Sequence, residues 1–227
     1  MKILTVVPAR AGSVRLPNKN LRLLGGRPLI DWTVKFAMNL SCDCDILVST
    51  DSDEIANHAI RSGAIVPWLR PTNLSTSYAK SEEVVDHALN WYERNVAAVD
   101  GVLLLQPTSP FRSIESVDSQ IKKFLDEPDI SIIGVSETTN SPIWELVPGS
   151  NFLSRIDSRE RNSDSRTFIP CGNFYLTSKN EFKGSHSFFG SRTIPFIVTK
   201  NDELVDIDTI DDFREAESFL TQISYPY

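Results

Sequence analysis

The chain has 227 residues, of which 41% are hydrophobic and 23% are charged, and its formal net charge at pH 7 is −7. These values are ordinary for a globular protein, and the acidic balance disfavours binding to nucleic acid or to a membrane surface through the overall electrostatic field. No apolar run approaches the roughly 20 residues that a membrane-spanning helix needs, and the three cysteines and three histidines have neither disulfide nor zinc spacing. Because no signal-peptide pattern precedes the first apolar run, we expect a cytoplasmic protein with reduced thiols.

Strands and helices are predicted to alternate along the first two thirds of the chain. Apolar runs predict strands at Ile3–Val7, Asp45–Ser49, Ala64–Val66, Gly101–Leu105 and Ile130–Val135. Apolar spacing and capping residues predict helices at Pro28–Leu40, from Thr50–Glu54 to near Gly63, at Ser77–Asn95 and at Ile114–Leu125. Strands separated by such helices form βαβ units, so we predict a single Rossmann-like, three-layer α/β domain over residues 1–227, with a mostly parallel sheet.

Residues 137–170 interrupt this alternation. They are polar, and short β-like pieces occur at Ile143–Val147 and Phe152–Ile156. By composition the segment fits a surface excursion and a β-ribbon arm that docks on a partner subunit equally well. Regular structure is predicted to resume with strands at Asn173–Thr177 and Thr193–Val198 and a last helix from about Thr209 to Leu220.

A cationic loop follows the first predicted strand. The first 30 residues contain six cations and no anion; the cations are Lys2, Arg10, Arg15, Lys19, Arg22 and Arg27. The loop lacks the Walker A pattern, because Lys19 is not followed by Ser or Thr, and it lacks G-x-G-x-x-G. Gly12 and Ser13 allow backbone N–H groups to approach phosphate oxygens beside the cationic donors. We therefore interpret the loop as a trap for a nucleoside triphosphate, with a solvated basic loop as the alternative.

Two aspartates alternate near the end of the chain, in the stretch Asp206-Ile207-Asp208. Alternate residues of an extended segment lie about 7 Å apart on one face. Paired carboxylates suit a hard cation such as Mg²⁺, which shares its ligands with substrate phosphates. Asp208 also suits the N-cap position of the helix that follows, a role that leaves one carboxylate oxygen for a metal, whereas Asp206 is harder to explain as a cap.

Polar residues follow four of the predicted strands. They are the cationic loop, Ser49–Asp51, Arg70 within 67–71, and Gln106–Ser109. Ligands of open α/β sheets bind beyond the carboxyl ends of the strands. We expect these residues to converge on one cleft.

Several stretches match the motifs of one enzyme family in order and spacing, from about Ile3 to Leu220. They are Pro8–Ser13 with Lys19-Asn20, Ser49–Asp51, Leu105–Pro110 with Arg112, and Asp206–Thr209, supported by Arg70-Pro71 with Leu74 and by Gly172 with Tyr175. In these stretches the chain resembles the acylneuraminate cytidylyltransferases, which make CMP-sialic acids and related CMP-nonulosonates. The resemblance implies the nucleotide-diphospho-sugar transferase fold and transfer of CMP from CTP to the anomeric hydroxyl of a nonulosonic acid, with release of pyrophosphate.

The resemblance also implies roles for individual residues. Arg10 and Lys19 would hold the triphosphate with Ser13 and Arg15 nearby, Asn20, Arg70 and Ser81 would read cytosine and ribose, Gln106 would contact the acceptor sugar, and Asp206 and Asp208 would ligate Mg²⁺ or another divalent cation such as Mn²⁺. Arg10, Lys19 and Asp208 are the residues implied to be catalytic. Residues 137–170 are implied to form the dimerisation arm of a homodimer, with Arg161 reaching the sugar acid in the neighbouring active site.

Three positions on the implied sugar side depart from sialic-acid-activating members of the family. Trp144 stands where Lys is frequent, Cys171 replaces an Asn, and Ile169 replaces an Arg. A legionaminic- or pseudaminic-type acceptor therefore fits better than N-acetylneuraminic acid, although Trp144 fits a packing role in the arm equally well. A CMP-Kdo synthetase is the first alternative, because Ser13–Pro17 resembles that sister family, but Asn20 disfavours it. A non-catalytic CTP-binding protein is the second, and the retained pair of aspartates argues against it.

Overall fold

The computed structural model describes residues 1–138, 144–147, 149–155 and 166–227. Their strands are β1 (Ile3–Pro8), β2 (Leu23–Leu24), β3 (Arg27–Pro28), β4 (Cys44–Ser49), β5 (Gly101–Leu104), β6 (Ser131–Glu137), β7 (Trp144–Leu146), β8 (Leu153–Arg155), β9 (Thr167–Ser178) and β10 (Thr193–Ile197). Their α-helices are α1 (Leu29–Met38), α2 (Asp53–Arg61), α3 (Ser81–Asn95), α4 (Ile114–Asp126), α5 (Lys179–Ser185) and α6 (Ile210–Leu220), and short 3₁₀ helices lie at Lys19–Leu21, Thr72–Leu74 and Asp202–Leu204. Within these ranges, no helix combines the length and apolar character needed to cross a membrane.

The central sheet has the strand order β10-β6-β9-β5-β1-β4. β4, β1 and β5 are parallel, and β10 and β6 are parallel. β9 lies between β5 and β6 and is antiparallel to both, so those two strands run in the same direction. The predicted mostly parallel sheet is confirmed, and the carboxyl ends of β1, β4, β5 and β6 meet at one edge together with the amino-terminal half of β9.

Successive residues of β1 belong to different buried clusters. Ile3 and Val7 pack in the cluster that includes residues of α1, α4 and α6, whereas Leu4 and Val6 pack in the cluster that includes residues of α3 and α5. Successive side chains of a strand point to opposite faces of the sheet, and a mostly parallel sheet needs cover on both faces. The three predicted layers are therefore present.

Two predicted elements in the first half of the chain differ in the structure: one is not a strand, and the other is a helix that begins later. The strand predicted at Ala64–Val66 is wrong, because Ile65 forms only an isolated parallel bridge to Leu47 before Pro67. The helix predicted from Ser77 begins instead at Ser81. There the carboxylate of Glu83 accepts a hydrogen bond from the backbone N–H of Lys80 at 3.1 Å, which satisfies a donor at the start of the helix.

The strand predicted at Asn173–Thr177 is the second half of the longer β9. Its first half, from Thr167, pairs with the last residues of β6 and with β7. The register between β6 and β9 shifts between Ile133 and Val135, which marks a bulge beside the carboxyl edge of the sheet. Pro170 and Gly172, residue types that are uncommon inside strands, interrupt the first half of β9, whereas Phe174–Leu176 in the second half form an uninterrupted apolar run.

A β-ribbon of β7 and β8 extends from β9. It lies within the two β-like pieces predicted in the irregular segment. Trp144 of β7 stacks on Phe189 with ring centroids 4.3 Å apart and an interplanar angle of 2°, so its indole has a packing partner within its own chain. The remainder of the predicted arm, residues 139–143, 148 and 156–165, including Arg161, lies outside the described residues.

Candidate active site

A cleft of about 170 Å³ opens beyond the carboxyl ends of β1 and β5. Its lining contains the residues Pro8, Arg10, Lys19, Asn20, Arg70, Leu74, Thr76, Ser77, Ala79, Ser81, Val84, Gln106, Pro107 and Thr108. The lining thus brings together cationic side chains, hydroxyls and two side-chain amides from separate parts of the chain. This is the edge of the sheet at which the sequence predicted a cleft.

The cationic loop is held at both of its ends. The N–H of Ala9 donates to the carbonyl of Ser49 at 2.9 Å, and the N–H of Ala11 donates to Oδ1 of Asp51 at 2.8 Å. Farther along, Nδ2 of Asn20 donates to the carbonyl of Arg10 at 2.9 Å. These bonds fold the loop back on itself beside β4, and they give Asp51 a structural role that sequence reasoning had not assigned.

Lys19 joins the cationic loop to the acidic segment near the end of the chain. Its side chain is largely buried, and Nζ donates to the carbonyl of Ile207 at 2.8 Å and to Oδ1 of Asp208 at 2.9 Å. Arg15 donates to the other carboxylate oxygen of Asp208. The Asp208 carboxylate therefore contacts two cations of the loop, although almost the whole sequence separates them along the chain.

The alternative that Asp208 caps the last helix is not what the structure shows. Thr209 is the N-cap of α6, and its hydroxyl accepts from the N–H of Asp212 at 3.3 Å. The Asp212 carboxylate in turn accepts from the N–H groups of Asp208 and Thr209 at 2.9 and 2.7 Å. This capping box leaves the Asp208 carboxylate available to the cations and to a ligand.

Asp206 lies in an electrostatic environment that opposes its ionisation. Burial by surrounding protein and the charge of Asp208 raise the pKa of the Asp206 carboxyl, against a hydrogen bond from Thr108 and the charge of Lys19. Ile207 between the two aspartates is fully buried, and its N–H donates to the carbonyl of Thr108 at 2.8 Å. The acidic segment is thereby fastened to the loop that follows β5.

The donor chemistry of this pair fits a hard divalent cation. Both side chains offer carboxylate oxygens, and a cation between them would relieve the like-charge contact that raises the pKa of Asp206. Among the described residues there is no group of three or more His, Cys, Asp or Glu side chains that could hold a metal ion. The set therefore fits Mg²⁺, which commonly takes one or two carboxylates together with substrate phosphates and water, better than a metal that needs a complete protein cage.

Arg70 presents buried donors to the cleft without partners. Only 6% of the residue is exposed, and among the described residues its Nε and Nη2 atoms have no hydrogen-bond partner. Its backbone N–H donates to the carbonyl of Thr50 at 2.6 Å, which places the residue at the end of β4. Burial lowers the pKa of the Arg70 guanidinium, and the charge of Arg10 adds to this effect. Unpaired buried donors are costly, so this part of the cleft is suited to a ligand with acceptor atoms.

Gln106 and Gly172 meet on the other side of the cleft. Gly172 has φ +82°, and a Cβ atom at this position would lie 3.0 Å from Oε1 of Gln106 and 3.2 Å from Oγ of Ser109. The absence of a side chain therefore leaves room for the amide of Gln106. Next to it, burial raises the pKa of the Cys171 thiol to about 11, which keeps this thiol protonated at neutral pH.

The candidate residues from the sequence occupy three kinds of position. Those that line the cleft are Arg10, Lys19, Asn20, Arg70, Ser81 and Gln106. Arg15, Asp206 and Asp208 lie at its rim, connected to the lining through Lys19 and Thr108. Ser13 is not part of this lining within the described chain, and Arg161 lies outside the described residues.

A larger groove of about 990 Å³ runs beside α3 and shares Leu74 with the cleft. Its lining mixes cations and anions, including Lys80, Glu83, Asp86 and Arg94. Such a balance offers no concentrated positive charge for a triphosphate. The smaller cleft, where the loop cations and the acidic segment meet, is the better candidate for the chemistry.

Curated proteins related to this chain match along most of its length. A CMP-N,N'-diacetyllegionaminic acid synthase from Legionella pneumophila is 36% identical over 97% of this chain and 97% of its own length. A pseudaminic acid cytidylyltransferase from Campylobacter jejuni is 28% identical over 96% of this chain and 95% of its own length. An N-acylneuraminate cytidylyltransferase from Escherichia coli is 30% identical over 95% of this chain and 51% of its own length.

Solved structures share the fold at low sequence identity. A CMP:2-keto-3-deoxy-manno-octonic acid synthetase, complexed with CTP, superposes with a TM-score of 0.73 at 18% identity, covering 98% of this chain and 99% of that chain. A 4-diphosphocytidyl-2C-methyl-D-erythritol synthase from Anaerococcus prevotii superposes with a TM-score of 0.65 at 13% identity, covering 97% of this chain and 96% of that chain. The nucleotide-diphospho-sugar transferase fold and the family resemblance inferred from the motifs are confirmed. The cytidylyltransferase family profile matches residues 4–222, and the chain therefore belongs to the cytidylyltransferase family.

Proposed function

We propose that the protein transfers CMP from CTP to the anomeric hydroxyl of a nonulosonic acid and releases pyrophosphate. The observation that carries this proposal is the contact of Lys19 with Asp208, which joins a cationic loop and an acidic pair at the mouth of one cleft. Membership of the cytidylyltransferase family supports CTP as the nucleotide. The names of the full-length relatives, which act on diacetyllegionaminic and pseudaminic acids, support a nonulosonic acid as acceptor.

One set of cleft residues binds the triphosphate of the nucleotide, and another set binds its nucleoside. Arg10 and Lys19 neutralise the triphosphate, and Arg15 assists from the rim. The unpaired donors of Arg70 bind acceptor atoms of the nucleoside, with Asn20 and Ser81 beside it. Because phosphoryl transfer of this kind depends mainly on positioning and charge neutralisation, these contacts are the main contribution of the chain.

Binding of the triphosphate would exchange ion pairs within the site. Lys19 and Arg15 both form ion pairs with Asp208. When the phosphates take these two cations, the Asp208 carboxylate becomes available beside Asp206 for Mg²⁺ or Mn²⁺. When bound there, such a cation neutralises phosphate charge and lowers the pKa of the attacking hydroxyl.

The acceptor we favour is a legionaminic- or pseudaminic-type sugar. Trp144, Ile169 and Cys171 replace residues frequent in sialic-acid-activating members of the family. Gln106, opposite Gly172, is the residue we assign to the acceptor. We further propose that the enzyme works as a homodimer in the cytoplasm, with part of residues 137–170 as the dimerisation arm.

An acceptor panel tests this proposal. Pyrophosphate release would be measured with CTP and Mg²⁺ in the presence of legionaminic, pseudaminic and N-acetylneuraminic acids and Kdo. We expect turnover with a nonulosonic acid, highest with a legionaminic- or pseudaminic-type acid. Activity with Kdo alone would favour the CMP-Kdo synthetase alternative, and CTP binding without turnover on any sugar would favour a non-catalytic protein.

A further inference from the structure

Arg112 is a buried cation that makes no ion pair within the described chain. It is 2% exposed, and its guanidinium donates to the carbonyl of Asn173 at 2.7 Å, the carbonyl of Gln106 at 2.8 Å and the hydroxyl of Thr33 at 3.3 Å. Burial lowers the pKa of Arg112 to about 10, so the group is still charged at neutral pH. Its charge is balanced mainly by carbonyl dipoles and by the face of the Phe36 ring, 5.5 Å away.

These hydrogen bonds connect the two main-chain segments that form the acceptor side of the cleft. Gln106 belongs to the loop after β5, and Asn173 follows Gly172 on β9. By holding both main chains, Arg112 sets the distance between the Gln106 backbone and the glycine against which the Gln106 amide lies. A shift of either main chain would move the amide relative to the sugar.

Tyr227 in turn holds Arg112. Its hydroxyl accepts a hydrogen bond from the backbone N–H of Arg112 at 3.0 Å and donates one to the backbone carbonyl of Arg112 at 3.1 Å. The Tyr227 ring contacts Phe36 edge-to-face with centroids 5.2 Å apart, and Arg27 donates to the main-chain oxygen of Tyr227 at 2.5 Å. The same aromatic ring of Phe36 therefore packs against both the tyrosine and the guanidinium.

We propose that Tyr227 is a positioning residue for the acceptor sugar, acting through Arg112 on Gln106. The inference rests on the proposed function, because it takes Gln106 as the acceptor contact. It assigns a role to a residue that does not line the cleft. Nucleotide binding, which uses the opposite side of the cleft, does not depend on this relay.

The test compares Tyr227→Phe with Tyr225→Phe. Both variants keep an aromatic ring in the same segment, but the Tyr225 hydroxyl donates to Asp202 at 2.6 Å and its ring stacks on Phe111, away from Gln106. Tyr227→Phe removes both hydrogen bonds between the hydroxyl and the Arg112 main chain, and we expect the KM for the acceptor sugar to rise about fivefold with the KM for CTP unchanged. For Tyr225→Phe we expect both KM values to stay at the wild-type level.

Four other results would overturn the inference. An equal rise of both KM values in Tyr227→Phe, or a lower melting temperature with both KM values unchanged, would make Tyr227 a purely structural residue. Gln106→Ala separates this failure from that of the proposed function. If Gln106→Ala raises the KM for the sugar and Tyr227→Phe does not, the relay is wrong and the acceptor site stands. If Gln106→Ala leaves that KM unchanged, the acceptor assignment fails and the relay fails with it.

Discussion

At the scale of single residues, two side chains of the site lie in environments that are unfavourable for a polar or charged group. Arg70 keeps buried donors without partners, and Asp206 is pressed toward its neutral form by burial and by Asp208. Buried polar groups left unpaired and like charges in contact are both unfavourable. Perturbed groups of this kind concentrate where a ligand completes the arrangement.

Replacement of Arg70 by Met should weaken nucleotide binding while sparing stability. Loss of charge-assisted hydrogen bonds worth about 1.5–3 kcal/mol raises the KM for CTP roughly tenfold to a hundredfold. The melting temperature should stay constant or rise, because the variant removes unpaired buried donors. Steady-state kinetics and thermal melts check both statements. Arg192→Met, which removes a surface cation paired with Glu127, is the matched control, and equal CTP KM values in the two variants would contradict the assignment.

Asp206→Asn should be more stable than the wild type when divalent cations are removed by a chelator. Since the folded-state pKa of Asp206 is raised above the ordinary value of 3.8, the folded state binds its proton more tightly than the unfolded state does. The unfolding free energy of the wild type therefore falls as the pH rises through the folded-state pKa of Asp206. The variant does not show this fall, because asparagine does not ionise. Its advantage in melting temperature should vanish near pH 4 and grow as the pH rises above that value.

The same variant should lose turnover by about a hundredfold or more and lose the stabilisation that Mg²⁺ gives to the wild type. Thermal melts with chelator and with Mg²⁺, from pH 4 to 8, measure the stability effects. A variant less stable than the wild type at pH 7 without metal would contradict the electrostatic account.

Residue types and motif spacing identified cations and carboxylates that the structure brings to one cleft and its rim, but not the contacts that support them. Arg10 and Lys19 stand out as cations in the loop after the first predicted strand, and Asp206 as a carboxylate that helix capping does not explain. Asp51 and Thr108 act through hydrogen bonds to Ala11 and to the acidic segment. Such side-chain and backbone partners are set by the three-dimensional approach of distant loops, which leaves no local sequence signal.

At the scale of elements, β9 positions Gly172 on the side of the cleft that we assign to the acceptor sugar. Its amino-terminal half lies at the carboxyl edge of its parallel neighbours, so Gly172 faces the loop after β5. The sequence predicted only Asn173–Thr177 as strand, because Pro170 and Gly172 interrupt the first half of β9. The first half is extended because β6 and β7 pair with it, a tertiary effect that outweighs local propensity.

Gly172→Ala should impair acceptor use and stability together. The φ of +82° disfavours any side chain, and the added Cβ would crowd Gln106 and Ser109. We expect a loss of about 1–3 kcal/mol in unfolding free energy and a higher KM for the sugar. Gly184→Ala is the control, because that glycine lies in α5 with nothing within 4 Å of its added Cβ and should be neutral or slightly stabilising. Denaturant unfolding and steady-state kinetics compare the two, and equal effects would contradict the crowding argument.

At the scale of the whole molecule, the alternation of strands and helices predicted the layers and the mostly parallel sheet correctly. It did not predict the antiparallel insertion of β9, because strand direction depends on which neighbours a strand finds. The fold therefore followed from periodicity, whereas the strand order needed the structure. Of residues 137–170, the structure describes 137–138, 144–147, 149–155 and 166–170, which include the β7–β8 ribbon.

If active sites are shared across a homodimer, two inactive variants should complement each other. Arg161→Ala and Asp208→Ala would each be expected to lose most turnover as homodimers. In a mixed dimer one site carries both changes and the other carries neither, so random reassembly restores about a quarter of wild-type activity. Co-expression of differently tagged chains, with the mass in solution measured by light scattering, provides the test. Activity no higher than that of the separate variants would contradict shared sites.

The position of β9 also governs the order in which the chain can fold. Without it the sheet divides into β4-β1-β5 and β6-β10, which have no direct pairing. The first group is built from residues 3–104, whereas β9, which pairs Gly101 with Ser178 and Ile132 with Leu176, comes much later in the chain. Until β9 inserts, β5 and β6 present open hydrogen-bonding edges. Because residues 3–104 are synthesised before β9, we expect the β4-β1-β5 group to assemble first and the insertion of β9 to be the late step, before which the open edges make the chain prone to aggregate.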